Sequence, residues 1–145
     1  MTIDELINEW EVDANIDSEH LDTSSATSPK LHAKYLRIFT DTKLRITKTQ
    51  NQYDTLRQTK FRYYRGELTR EELRELNWEP WQYNKPLKNE MDEHLKGDKD
   101  LSEIRLRIAY LETMLTVIES ILGQIKGRDW QIKNILNWRQ FMAGQ

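Results

Sequence analysis

Apolar residues recur at helical spacing along most of the chain. Behind Thr2, residues Ile3, Leu6, Ile7 and Trp10 step by three and four, and the threonine hydroxyl can accept from the N–H of Asp4 or Glu5, so the pattern predicts a short amphipathic helix. Residues 16–29, "IDSEHLDTSSATSP", lose that period and read as a connection with room for about one turn of helix. Ser28-Pro29 then signals a helix start, with the hydroxyl at the cap and the proline where its missing N–H costs nothing. No Gly or Pro interrupts from there to Tyr64, and the spacing predicts one long helix ended by Gly66. Leu31, Tyr35, Ile38, Phe39, Ile46, Tyr53 and Leu56 fall on one side of it.

"TREELREL" offers a capping box, Thr69 with Glu72, and predicts a short helix. "NWEPWQYNKP" breaks it with two prolines and three aromatic rings, a stiff crossing in which Trp78 and Trp81 are read as anchors to the helices. "LKNEMDEHLKGD" reads as another short helix closed by Gly97. The clearest period comes last: Leu101, Ile104, Ile108, Leu111, Leu115, Ile118, Leu122 and Ile125 alternate steps of three and four, a seven-residue repeat. Gly127 breaks it before a final amphipathic helix with Trp130, Ile132, Ile135, Leu136, Trp138 and Phe141. Met114, Val117 and Ile121 widen the apolar face beyond what one partner helix covers, so self-association through residues 101–142 is expected, with the repeat residues, Trp130 and Trp138 as the contact. The expected fold class is all-α, in three segments: 1–27 acidic helix and connection, 28–97 basic helix and crossing, 98–145 oligomerisation helices.

Composition adds compartment and class. Charged residues make up 32% of the 145 and hydrophobic ones 37%, a balance that favours a helical soluble domain. The N-terminal stretch has acids where a secretory signal needs bases, and nothing in the sequence reads as a membrane span, so a cytoplasmic protein without a membrane partner is expected. The absence of cysteine excludes a disulfide scaffold and a thiol nucleophile.

The formal net charge of −2 hides a strong division. Residues 1–28 hold eight acids and no Lys or Arg, whereas residues 29–66 hold ten bases and two acids. At 100° per residue Lys30, Lys34, Arg37, Arg45 and Lys48 form one stripe of the long helix. Such polarity points to a polyanion-binding segment beside an acidic one that can face a basic partner or the protein's own bases.

Catalytic patterns are missing. His20, His32 and His94 stand far apart, and no nucleophile elbow, phosphate-binding glycine loop or calcium loop is found. The neighbouring acids Glu71-Glu72 and Asp92-Glu93 point to different faces of their helices. No enzyme activity, metal or cofactor is expected. Binding chemistry is more informative: Tyr53, Arg57, Lys60 and Tyr64 are spaced by four, three and four, so cations and rings share a face, with Arg62 and Arg65 close by in "RQTKFRYYRGE". Single-stranded nucleic acid needs both, charge for its phosphates and rings for its unstacked bases. The same spacing also suits tyrosines packed inside with only their hydroxyls wet and bases serving solubility. On that view the chain is a structural or assembly oligomer.

In order, "IDELINEWEVDANID", "SPKLHAKYL", "KFRYYRGE", the repeat from Leu101 and "RDWQIKNILNWRQFMAGQ" resemble the UvsY family, recombination mediators of T-even-type phages and their cyanophage relatives. That resemblance covers nearly the whole chain. It implies a ring-like homo-oligomer, hexameric or heptameric, built through C-terminal helices and acting without catalysis in the infected host's cytoplasm. It also implies single-stranded DNA, a phage recombinase and a phage single-strand-binding protein as partners, with the recombinase helped onto DNA that the last protein covers. The family's DNA-binding bases lie just before the Tyr-Tyr-x-Gly element. Lys60 matches one such position, Gln58 stands where another base belongs, and Arg57 lies beside it.

Overall fold

Thr2 and Glu5 start the first helix by capping each other: the Thr2 hydroxyl accepts from the Glu5 N–H at 3.1 Å and the Glu5 carboxylate from the Thr2 N–H at 2.8 Å. A computed structural model describes residues 1–144, which contain α1 (Ile3–Asp13), α2 (Leu21–Tyr64), α3 (Arg70–Leu76), α4 (Met91–Lys96), α5 (Lys99–Lys126) and α6 (Arg128–Met142). The expected reciprocal cap of α3 is present too, with Thr69 and Glu72 in the same roles.

The second helix begins earlier than Ser28-Pro29 predicts. It starts at Leu21 and carries Pro29 in its interior, a position that normally costs about 3 kcal/mol. The carbonyl left without an amide donor is that of Ser25, and the nearby hydroxyls bond to the carbonyls before it. Thr27 and Ser28 hydroxyls donate back to the carbonyls of Thr23 and Ser24, at 2.8 and 3.5 Å, and Ser24 and Ser28 are both buried. The other end is as expected: Gly66 takes φ +71°, the Glu67 N–H reaches the Arg62 carbonyl at 2.9 Å and the Gly66 N–H that of Tyr63 at 3.0 Å, a Schellman closure.

The described residues form two compact units, one from Met1–Leu44 with 111–144 and one from Arg45–Tyr110; α2 and α5 contribute to both. These units do not follow the three sequence segments.

In the first unit, Leu6 of α1, Leu31 and Tyr35 of α2 and Met114, Ile118, Ile121 and Ile125 of α5 make the core. Leu6, Tyr35 and Ile118 are fully buried, and each such side chain is worth roughly 1.5–3 kcal/mol. Trp10 meets Tyr35 edge to face at 5.5 Å, and the Tyr35 hydroxyl donates to Asp13 at 2.8 Å. Arg128 locks the end of α1. It is buried, and its guanidinium donates to the carbonyls of Asp13, Ala14 and Asn15 and, through Nε, to that of Ser24, at 3.2 to 3.5 Å. α1 has no base in its own last turn, so this distant arginine supplies the cation that the negative end of the helix attracts.

In the second unit, Tyr64, Met91, Leu95 and Leu101 are buried, with Tyr53, Leu56, Phe61, Tyr63 and Trp81 against them. Trp78 and Trp81 anchor the crossing: Trp78 lies 5.2 Å from the Tyr63 ring and Trp81 4.7 Å from that of Tyr64.

The seven-residue repeat does not lie open for partners. Leu101, Ile108, Leu111, Ile118 and Ile125 are buried and Ile104, Leu115 and Leu122 half-buried within the chain. Ile118 and Ile125 pack with Leu6, Leu31 and Tyr35 of α1 and α2 in the first unit, and Leu101 packs with Tyr64, Met91 and Leu95 of α2 and α4 in the second, so the buried repeat positions serve the core of the chain itself. Exposure is found instead at Trp130, Trp138, Phe141 and Met142, between 63% and 68%. Within Lys99–Met142 one window reaches a mean hydropathy of 1.3, enough by length and composition to cross a membrane. Its apolar side is the one that packs on α1 and α2 in the first unit.

Candidate nucleic-acid interface

Near its end, the apolar stripe of α2 runs on through residues that look polar in sequence. Thr42 and Thr49 are buried on it, each hydroxyl satisfied by a carbonyl one turn back at 2.8 Å. The same seam brings Lys60 and Tyr64 inside, 7% and 8% exposed. The Lys60 ammonium lies 3.1 Å from Asp98 and 2.8 Å from Asp100 and 4.2 Å from the centre of the Trp78 ring. The Tyr64 hydroxyl donates to Asp98 at 2.7 Å, and the other Asp98 oxygen caps α5 through the Leu101 N–H at 3.0 Å.

Electrostatics fix these charges. Burial opposes the Lys60 charge, but Asp100 and Asp98 outweigh it and hold the ammonium above its usual range. Burial would likewise raise Asp98, yet hydrogen bonds from Tyr64, the Leu101 N–H and Lys60 keep its carboxyl below the ordinary value. Burial first, and the Asp98 charge after it, push the Tyr64 hydroxyl up. The predicted face of alternating rings and cations is therefore mostly drawn inside: Tyr53 is half-buried and accepts from Arg105 at 3.4 Å, Lys60 and Tyr64 are buried, and Arg57 alone of the four is exposed. The physical reason is that Asp98 and Asp100, distant in sequence, pay the desolvation cost of Lys60.

The remaining predicted bases differ in availability. Arg62 forms a two-pronged pair with Glu72 at 2.9 and 3.0 Å, which lifts its pKa. Arg65 pairs with Glu67 at 3.0 Å and lies over the Phe61 ring. Arg57 touches Asp92 only loosely, at 3.5 Å. Lys34 is held by Glu9 and Asp13 at 2.8 and 2.6 Å, so the acidic segment does engage one of the chain's own bases. In the first unit Lys30 and Arg37 of α2 are exposed. In the second, Arg45 and Lys48 are exposed on the same helix. Among the described residues no acid lies within ion-pair distance of Lys30, Arg37 or Lys48. No three His, Asp or Glu of the described residues gather as a metal site requires.

Sequence reasoning missed Asp98, Asp100 and Arg128. Asp100 signals only a helix start, and Arg128, next to Asp129 at the start of α6, reads as an ordinary surface charge because the carbonyls it meets lie more than a hundred residues away.

Known proteins share this fold. The chain is 27% identical to the recombination protein uvsY of Enterobacteria phage T4 over the full length of both. Two crystal structures of the bacteriophage T4 recombination mediator protein UvsY superpose on it. Lattice type II has a TM-score of 0.80 at 26% identity, covering 99% of this chain and 98% of that one. Lattice type IV has 0.84 at 24% identity, covering 97% and 99%, and bears on the fold alone. Residues 9–145 match the family described as recombination, repair and ssDNA binding protein UvsY, and the chain belongs to that family.

Proposed function

We propose that this protein is a non-catalytic mediator that binds single-stranded DNA and helps a phage recombinase onto DNA covered by a single-strand-binding protein, in the cytoplasm of the infected host. The observation that carries this is the family match over residues 9–145, joined by α2 bases left without carboxylate partners. Lys30 and Arg37 in the first unit and Lys48, Arg45 and the loosely held Arg57 in the second neutralise phosphates, while Lys60 and Tyr64 act by shaping the helix end near Arg57.

Assembly supplies the affinity. A few phosphate contacts bind weakly, and several linked copies on one strand raise the effective concentration of each later contact. The exposed face of α6, where Trp138 stacks on Phe141 at 5.7 Å, is the surface through which copies associate into a ring.

Titrating a fluorescent single-stranded oligonucleotide at several salt concentrations tests the reading. Binding should weaken linearly in log–log form, by about 0.7 per neutralised phosphate. No binding at low salt sinks it and leaves a structural oligomer; nuclease turnover abolished by a chelator would make the protein an enzyme instead.

A further inference from the structure

The exposed bases of α2 account for phosphates but offer no ring to a base, since Tyr53, Tyr63 and Tyr64 are wholly or partly drawn into the core. The crossing between α3 and α4 offers one. Tyr83 is 74% exposed, backed by the Trp81 ring at 5.0 Å. Tyr83 lines an open pocket with Trp81, Glu90 and His94, and this pocket shares Lys85 and Pro86 with a more enclosed one of about 420 Å³ that Phe61, Arg65, Lys88 and Met91 complete.

Charge in this place is available. Neither Lys85 nor Lys88 has an ion-pair partner among the described residues. Lys85 instead lies beside the end of α2: a Cβ added at Gly66 would come within 3.6 Å of its Cε, near the end of that helix that favours a cation. The two carboxylates nearby are occupied. Glu67 faces Arg65 at 3.0 Å, and Glu90 accepts from the Leu87 N–H at 3.2 Å.

We infer that these two adjoining pockets form a nucleotide subsite for the single strand, with a base stacked on Tyr83 in the open one and its flanking phosphates on Lys85, which both share, and on Lys88 and Arg65 of the other. The inference rests on the single-stranded DNA reading above. A nucleotide uses both features of the site, the free ring face and the unpaired cations, whereas an acidic peptide would use the cations alone.

The test compares wild type, Lys85→Ala/Lys88→Ala, Tyr83→Ala and Tyr83→Phe, as the full chain in its own assembly. The probes are labelled oligothymidylate, an abasic oligomer of equal length and a polyglutamate peptide. The double lysine variant should weaken both oligomers and lower the salt slope by about 1.4. Tyr83→Ala should weaken oligothymidylate roughly tenfold while sparing the abasic strand, and Tyr83→Phe should bind as wild type. If all variants bind DNA like wild type, the subsite is wrong and the α2 reading stands; if wild type binds no DNA, both fail. Tyr83→Ala weakening both strands equally removes the stacking claim. Loss of polyglutamate binding alone in the lysine variant assigns the pocket to an acidic protein and overturns the inference.

Discussion

Lys60 is the residue whose role changes most between sequence and fold. Its place just before the Tyr-Tyr-x-Gly element makes Lys60 an expected DNA-binding base, yet its ammonium is buried against Asp98 and Asp100. Removing one partner of a buried pair costs about 3–5 kcal/mol because the other charges are left uncompensated. Lys60→Ala should therefore lower the denaturant midpoint strongly, while Arg57→Ala, removing a loose exposed contact, should leave stability within about 0.5 kcal/mol. Equal midpoints for the two variants would refute the buried role. Asp98 gives the matching pH dependence. Its carboxyl is lowered in the folded chain, so its contribution is present above the unfolded value near pH 4 and is lost as pH falls through the lower folded value. Fluorescence of Trp78 and Trp81 should report a transition below about pH 4, and Asp98→Asn should remove that step; an unchanged acid transition in the variant would place the titrating group elsewhere.

Helix signals local to a few residues were legible, and those requiring distant partners were not. The Thr2 cap, the Thr69–Glu72 box and the Gly66 stop follow from residues within one turn, and the structure has all three, with Glu5 closing the first cap reciprocally as well. Ser28-Pro29 misleads because the helix runs back to Leu21 over contacts that are not local in sequence: Ser24 is buried, and its carbonyl accepts from Arg128 near the far end of the chain. The seven-residue repeat was correctly placed as α5, but its partners are α1 and α2 of the same chain, which no period can specify. The same blindness put Lys60 and Tyr64 on a surface, since only the folded position of Asp98 shows that the seam stays inside. Arg128→Met tests the lock on α1. It leaves carbonyls of α1 without their donor, at about 1–3 kcal/mol for an unsatisfied buried group, so hydrogen exchange over Ile3–Asp13 should accelerate more than over Arg70–Leu76; uniform protection would show that α1 is held by Leu6 and Trp10 alone.

For the whole molecule, stability and assembly are expected to depend on different residues of the C-terminal helices. Ile118 is fully buried, so Ile118→Asp should unfold the first unit, whereas Trp138→Asp/Phe141→Asp alters an exposed face and should give a folded protein of lower mass in sedimentation. A folded double variant of unchanged mass would move the subunit contact away from α6. Assembly then multiplies whatever each subunit offers to DNA, and the central claim is that α2 offers exposed, unpaired bases and not its buried seam. The most direct measurement is the salt dependence of single-stranded DNA binding by Lys30→Ala/Arg37→Ala/Lys48→Ala, with folding and mass checked as wild type. Three phosphates lost per subunit should lower the slope by about 2 for each engaged copy and weaken binding at every salt concentration. Affinity and slope equal to wild type in a folded, fully assembled variant would contradict the account.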